Sequence, residues 1–73
     1  MKSFYHFMMR YRGSGTNHTN QLANWMFHEH DFPKQATDYH TISQYLEWHS
    51  PFTKAIATFD RLWDEYQEEE NHE

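Results

Sequence analysis

The densest run of side chains that could do chemistry in this 73-residue chain is His28-Glu29-His30-Asp31. Imidazole and carboxylate are both zinc ligands. Their spacing is unfavourable on a helix, where residues two apart diverge by about 200° and helical metal pairs sit three or four apart. The zinc-protease pattern, two histidines four apart with a glutamate after the first, is absent. A metal site would need His30 and Asp31 in a loop, with His40 or His49 as a distant third ligand. The plainer reading has these groups closing a helix, because a cationic histidine is favoured at a helix C-terminus. No metal or other cofactor is expected.

Covalent and acid–base catalysis have less to work with. Ser3, Ser14, Ser43 and Ser50 all read as cap or surface residues, and no G-x-S-x-G turn occurs. Asp60, Asp64 and Glu65 resemble paired carboxylates, yet Arg61 lies among them, as on a solvated helix face. Gly13-Ser14-Gly15-Thr16 lacks the Gly-Lys-Ser/Thr that completes a phosphate loop. A chain this short also has little room for a pocket of about 300–1,000 Å³. The expectation is a non-enzymatic protein with no small-molecule substrate.

Four segments must carry these residues. The first, about Phe4 to Arg12, places Phe4, Phe7, Met8 and Tyr11 on one helical stripe. Ser3 is its N-cap, and Gly13 is free to take the left-handed conformation of a helix stop. The second, about Thr19 to His30, is opened by Asn17 or Thr19 and repeats Leu22, Ala23, Met26 and Phe27. Pro33 disfavours helix at Phe32, so Phe32 is expected to anchor a loop. The third, about Asp38 to His49, is capped by Thr37 or Asp38 and carries Tyr39, Ile42 and Leu46. The fourth begins at Ser50-Pro51, a cap followed by proline at the first helical position. It holds the longest periodic run: Phe52, Ala55, Ile56, Phe59, Leu62, Trp63 and Tyr66.

No segment alternates like a half-buried strand. The spacing predicts an all-α fold, four helices packed compactly around one core. One domain over residues 1–67 precedes an acidic tail, 68–73, which should fray because its glutamates meet the negative end of a helix dipole. Phe7, Leu22, Met26, Ile42, Leu46, Ile56, Phe59 and Trp63 are the expected core. With three Trp, five Tyr and six Phe, rings burying about 150–250 Å² each compensate for the small size. The chain has no cysteine, hence no disulfide framework or thiolate chemistry. Neither a signal-peptide run nor a stretch of about 20 apolar residues appears, so a cytoplasmic, membrane-free protein is expected.

The net charge of −5 is lopsided: seven of the eleven acids fall after residue 59, while the first twelve residues hold Lys2, Arg10 and Arg12 and no acid. Lys2, Arg10, Arg12 and Lys34, beside Tyr5 or Trp25, could form a small nucleic-acid surface, although the acidic tail would repel a polyanion. The first segment is also apolar nearly all round. A helix of that kind is either enclosed on every side or meets a partner.

Met1-Lys2-Ser3-Phe4-Tyr5-His6-Phe7-Met8-Met9 with Tyr11-Arg12-Gly13 resembles the opening of the YozE family of small uncharacterised bacterial proteins. Phe27-His28-Glu29-His30-Asp31-Phe32-Pro33-Lys34 is similar to that family's central block. Asp38-Tyr39, Ile42-Ser43, Tyr45-Leu46-Glu47, Phe59-Asp60 and Trp63 are similar to the rest of its pattern. The loop from Gly13 to Gln21 and the Glu-rich tail depart from it. The resemblance implies a compact four-helix orthogonal bundle like a sterile alpha motif (SAM) and brings no catalytic or binding residues with it. Domains of that kind commonly pair through their surfaces. The expected function is therefore a protein–protein interaction module, self-association included, with Tyr5, Met9 and Trp25 as candidate contacts. The alternative is weak nucleic-acid binding through Lys2, Arg10, Arg12 and Lys34.

Overall fold

The computed structural model describes residues 1–49 and 51–72. Four α-helices in chain order, α1 (Phe4–Met8), α2 (His18–His28), α3 (Tyr39–His49) and α4 (Ala55–Asn71), enclose one core, with a 3₁₀ turn (Met9–Tyr11) after α1. No strand occurs among the described residues. The fold is all-α, as the periodicity predicts.

Each of the first three helices starts where a short polar side chain can take an orphan backbone N–H. His6 N–H donates to Ser3 Oγ (3.1 Å), and Asn20 N–H donates to Asn17 Oδ1 (2.8 Å). Asp38 Oδ2 accepts both the backbone N–H (2.9 Å) and the hydroxyl (2.7 Å) of Thr41. Those two bonds hold the Asp38 carboxyl below its ordinary range.

The helix ends depart from the sequence expectation in three places. The first segment is not one helix to Arg12: it tightens to a 3₁₀ turn and stops at Tyr11. Gly13 (φ 158°) does not adopt a left-handed helical stop. The stop is supplied by α2 instead, since Asn20 Nδ2 donates to the Tyr11 carbonyl (2.6 Å). Asn24 grips both backbone groups of Gly13, donating at 2.8 Å and accepting at 3.2 Å. Second, α2 ends at His28 rather than His30, with Glu29 already extended. Third, α4 begins at Ala55, not at Pro51; Ser50, the expected cap, lies outside the described residues. Phe52 stacks on His18 of α2 (5.5 Å). That contact holds the chain in a turn, closed by Ala55 N–H on the Phe52 carbonyl (3.0 Å).

At seventeen residues, α4 is the longest helix. Glu68, Glu69 and Glu70, expected in a frayed tail, are helical, and the helix runs to Asn71; Glu73 lies outside the described residues. The basic N-terminal segment supplies partners for this acidic turn. Arg10 Nη2 reaches Glu69 Oε1 at 2.8 Å, and the Lys2 backbone N–H donates to Glu70 Oε1 at 3.1 Å.

The core is aromatic at its centre. Phe4, fully buried, packs on Phe7, Phe59, Trp63 and Tyr66 at ring separations of 5.2–5.9 Å. Of the expected core, all but Ile56 are buried; Ile56 is half-buried and packs against the cluster. Phe4, Met8, Leu62 and Tyr66 join them. The apolar girth of α1 is accounted for by enclosure, because helix and turn together face α4, α2 and the loop after α2. No described helix is long and apolar enough to cross a membrane.

Candidate functional site

Helix α3 carries two stripes. Ile42, Ser43 and Leu46 face the core. Thr41, Gln44, Tyr45, Trp48 and His49, spaced at i, i+3, i+4, i+7 and i+8, form a second continuous row on the helix. Opposite this row lies the loop after α2, contributing Asp31 and Pro33. Together they line a groove of about 320 Å³.

The loop is held firmly. Phe32 is buried, as its expected anchoring role requires. Its ring meets Tyr45 (5.4 Å), Tyr5 (6.0 Å) and Trp25 (6.2 Å). The Tyr45 hydroxyl donates to Glu29 Oε2 at 3.0 Å, joining α3 to the far side of the loop. Burial, the bond to Glu29 and the charges of Glu29 and Asp31 push the Tyr45 phenol up to about 12. It is therefore a neutral hydrogen-bond donor at physiological pH. The His49 ring stacks on Tyr45 at 4.0 Å. Its Nδ1 lies 3.0 Å from the Tyr45 carbonyl, which can only accept, so the proton sits on Nδ1.

Trp48 is the exception in this aromatic-rich domain. It is 80% exposed, and it packs on no other ring among the described residues. Exposed single apolar residues are common, but a tryptophan this open at the lip of a groove presents a large, rigid contact surface. The expectations from sequence do not include Trp48. The available signal was the second stripe at 41-44-45-48-49, in which a tryptophan stands among polar neighbours.

The residues that drew expectations are scattered. Tyr5, Met9 and Trp25 are half-buried and packed against the core, while the exposed large apolar residues are Met1, Phe27, Tyr39 and Trp48. Lys2 and Lys34 share a shallow depression of about 270 Å³ with His6 and Ser3. Arg10 lies elsewhere, paired with Glu69, and Arg12 sits over the Phe27 ring at 4.1 Å. His28 closes α2 and His30 and Asp31 follow in the turn. Among the described residues no group of three or more such side chains converges to hold a metal ion.

Several of the residues weighed for catalysis are engaged structurally. Ser43 is buried with its hydroxyl on the His40 carbonyl (3.2 Å). Asp60 accepts from Tyr39 (2.6 Å). Glu65 accepts from Arg61 (3.1 Å) and Tyr11 (3.3 Å). The groove presents one exposed indole, one carboxylate, and amide and hydroxyl groups beside the packed Phe32 and Tyr45 rings.

Comparison with known proteins agrees with this architecture. The YozE SAM-like fold family matches residues 3–68. YozE of Bacillus subtilis is 44% identical over 70 residues, spanning 94% of this chain and 95% of that protein. Relatives from Bacillus velezensis and Listeria monocytogenes are each 42% identical over 73 residues, spanning 99% and 96% of this chain and 99% and 95% of the respective relatives. A helical fold capped at Ser3, Asn17 and Asp38, matched over nearly its whole length, makes this chain a member of the YozE SAM-like family.

Proposed function

We propose that this domain is a non-enzymatic module that binds a partner protein through the Trp48 groove. The observation that carries the reading is the exposed Trp48 ring beside a floor made rigid by Phe32 and Tyr45. Tryptophan is among the residues that most often dominate binding energy at interfaces, particularly beside a pocket. A preformed groove also avoids the ordering cost of a flexible one. Tyr5, Met9 and Trp25, half-buried in the packing, support the core first.

A photo-crosslinking side chain introduced at Gln44, inside the groove, tests this in cells of the source organism. The expected result is a discrete crosslinked protein that disappears when Trp48→Ala is added. Identical crosslinking with and without Trp48 would remove the groove from the function. A crosslink to a second copy, with concentration-dependent sedimentation, would identify self-association instead. The nucleic-acid alternative now rests on Lys2 and Lys34 together, without Arg10 or Arg12. Low-salt anisotropy with single-stranded and duplex probes checks it, since phosphate binding must weaken steeply as salt rises.

A further inference from the structure

We infer that the Trp48 groove receives an arginine or lysine side chain of the partner protein, its charge set against the Trp48 ring and the Asp31 carboxylate. The inference rests on the protein-binding reading and adds the chemistry of the partner.

The chain's own surface sets the pattern. Arg12 lies over Phe27 at 4.1 Å, Arg10 over Phe7 at 4.6 Å and Lys34 over Tyr5 at 5.7 Å. Trp48 has the ring with the strongest attraction for cations. It is far more exposed than Phe27, yet among the described residues no cation covers it.

Charge points the same way. No lysine or arginine lines the groove, and Asp31 is its carboxylate. Asp31 has neither an ion pair nor a side-chain hydrogen bond among the described residues. Glu29 stands behind it on the Tyr45 hydroxyl, adding a second carboxylate on this side of the groove. His49, the remaining basic group of the lining, directs Nδ1 to the Tyr45 carbonyl and makes no ion pair with Asp31 among the described residues. A purely apolar occupant would bury the Asp31 charge without a partner, which is costly. A polyanion would meet it with like charge. A cationic side chain with an aliphatic stem satisfies the carboxylate and covers the indole together.

The test uses the full chain, ¹⁵N-labelled, and three pentapeptide amides of alternating alanine with arginine, citrulline or leucine. The arginine peptide should shift the Trp48 indole N–H and Asp31 resonances saturably. The citrulline peptide, which keeps the shape without the charge, should bind about two- to tenfold more weakly. Asp31→Asn should narrow the gap between the arginine and citrulline peptides without closing it, because the Trp48 ring still favours the cation. Trp48→Leu, at an exposed position, should weaken the arginine peptide while the helical circular dichroism stays intact.

Equal binding of arginine and citrulline peptides, tighter binding of the leucine peptide, or no saturable shift at the groove would each overturn the inference. So would shifts confined to Glu68–Glu70, which would reveal nonspecific attraction to the acidic end of α4. If the Gln44 crosslink depends on Trp48 while the arginine peptide fails, the chemistry inferred here is wrong and the docking site stands. If the crosslink ignores Trp48, the docking site itself fails.

Discussion

The Tyr66 hydroxyl donates to the backbone carbonyl of Lys2, joining α4 to the chain's second residue across 64 positions of sequence. Its ring is fully buried against Phe4, Phe7 and Trp63. One side chain thus serves the core and fastens the N-terminus. Burial, followed by the charge of Glu70, raises its phenol above the ordinary tyrosine value. Tyr66→Phe keeps the ring and loses the tether, so it should cost about 0.5–1.5 kcal/mol. Tyr66→Ala should cost about 3–5 kcal/mol. Urea unfolding of both variants checks the ratio, and a Tyr66→Phe variant as stable as the wild type would deny the hydroxyl any role.

Phe59 and Trp63 occupy successive turns of α4 against Phe4. Truncating either to alanine should cost about 3–5 kcal/mol. A core of this size supplies about the same amount net, so each variant should lose its cooperative thermal transition. Ile56→Ala, at a half-buried site, should remain folded. A cooperative melt of Phe59→Ala near the wild-type temperature would contradict the packing described here.

Gly15 sits directly against Asn20. A Cβ there would lie 2.7 Å from Asn20 Cγ, and the Asn20 carboxamide is already committed to the Tyr11 carbonyl. Gly15→Ala should therefore destabilise by about 1 kcal/mol or more, through loss of that bond. In an Asn20→Ala background the same substitution should cost markedly less. A double-mutant cycle with no coupling would show that the two residues do not compete for space.

Alkaline pH should loosen the domain from about pH 10, the ordinary tyrosine value. Tyr45 is held up to about 12, chiefly by burial. Tyr39 is raised first by its bond to Asp60, and Tyr11 and Tyr66 first by burial. Between pH 10 and about 12 the unfolded chain has lost tyrosine protons that the folded one retains. Binding fewer protons, the unfolded state gains relative to the folded one as pH rises. The contribution is fully present below pH 10 and fades as pH climbs through the folded values. Urea midpoints measured across this window should fall, with a shallower slope in Tyr45→Phe. A flat profile would show that these phenols titrate alike in both states.

The sequence alone was enough for whatever depends on residues a few positions apart. Ser3, Asn17 and Asp38 cap their helices through bonds spanning three residues, so residue type and position single out Ser3 and narrow the others to Asn17 or Thr19 and to Thr37 or Asp38. The four-residue repeats of Leu22 with Met26, Ile42 with Leu46, and Phe59 with Trp63 mark their core faces for the same reason.

Only the tertiary structure decided where other features end and which surfaces remain open. The stop after Tyr11 is made by Asn20 and Asn24 of the next helix. The late start of α4 follows the seat Phe52 takes on His18. Tyr5, Met9 and Trp25 become packing because Phe32 and the core come to meet them. Trp48 remains at the surface because, among the described residues, the face of α3 it occupies is met by no more than the loop at Asp31 and Pro33. Hydrophobicity depends on residue type, whereas exposure depends on which distant segment arrives. That is why the candidate site could be found only after the helices were assembled.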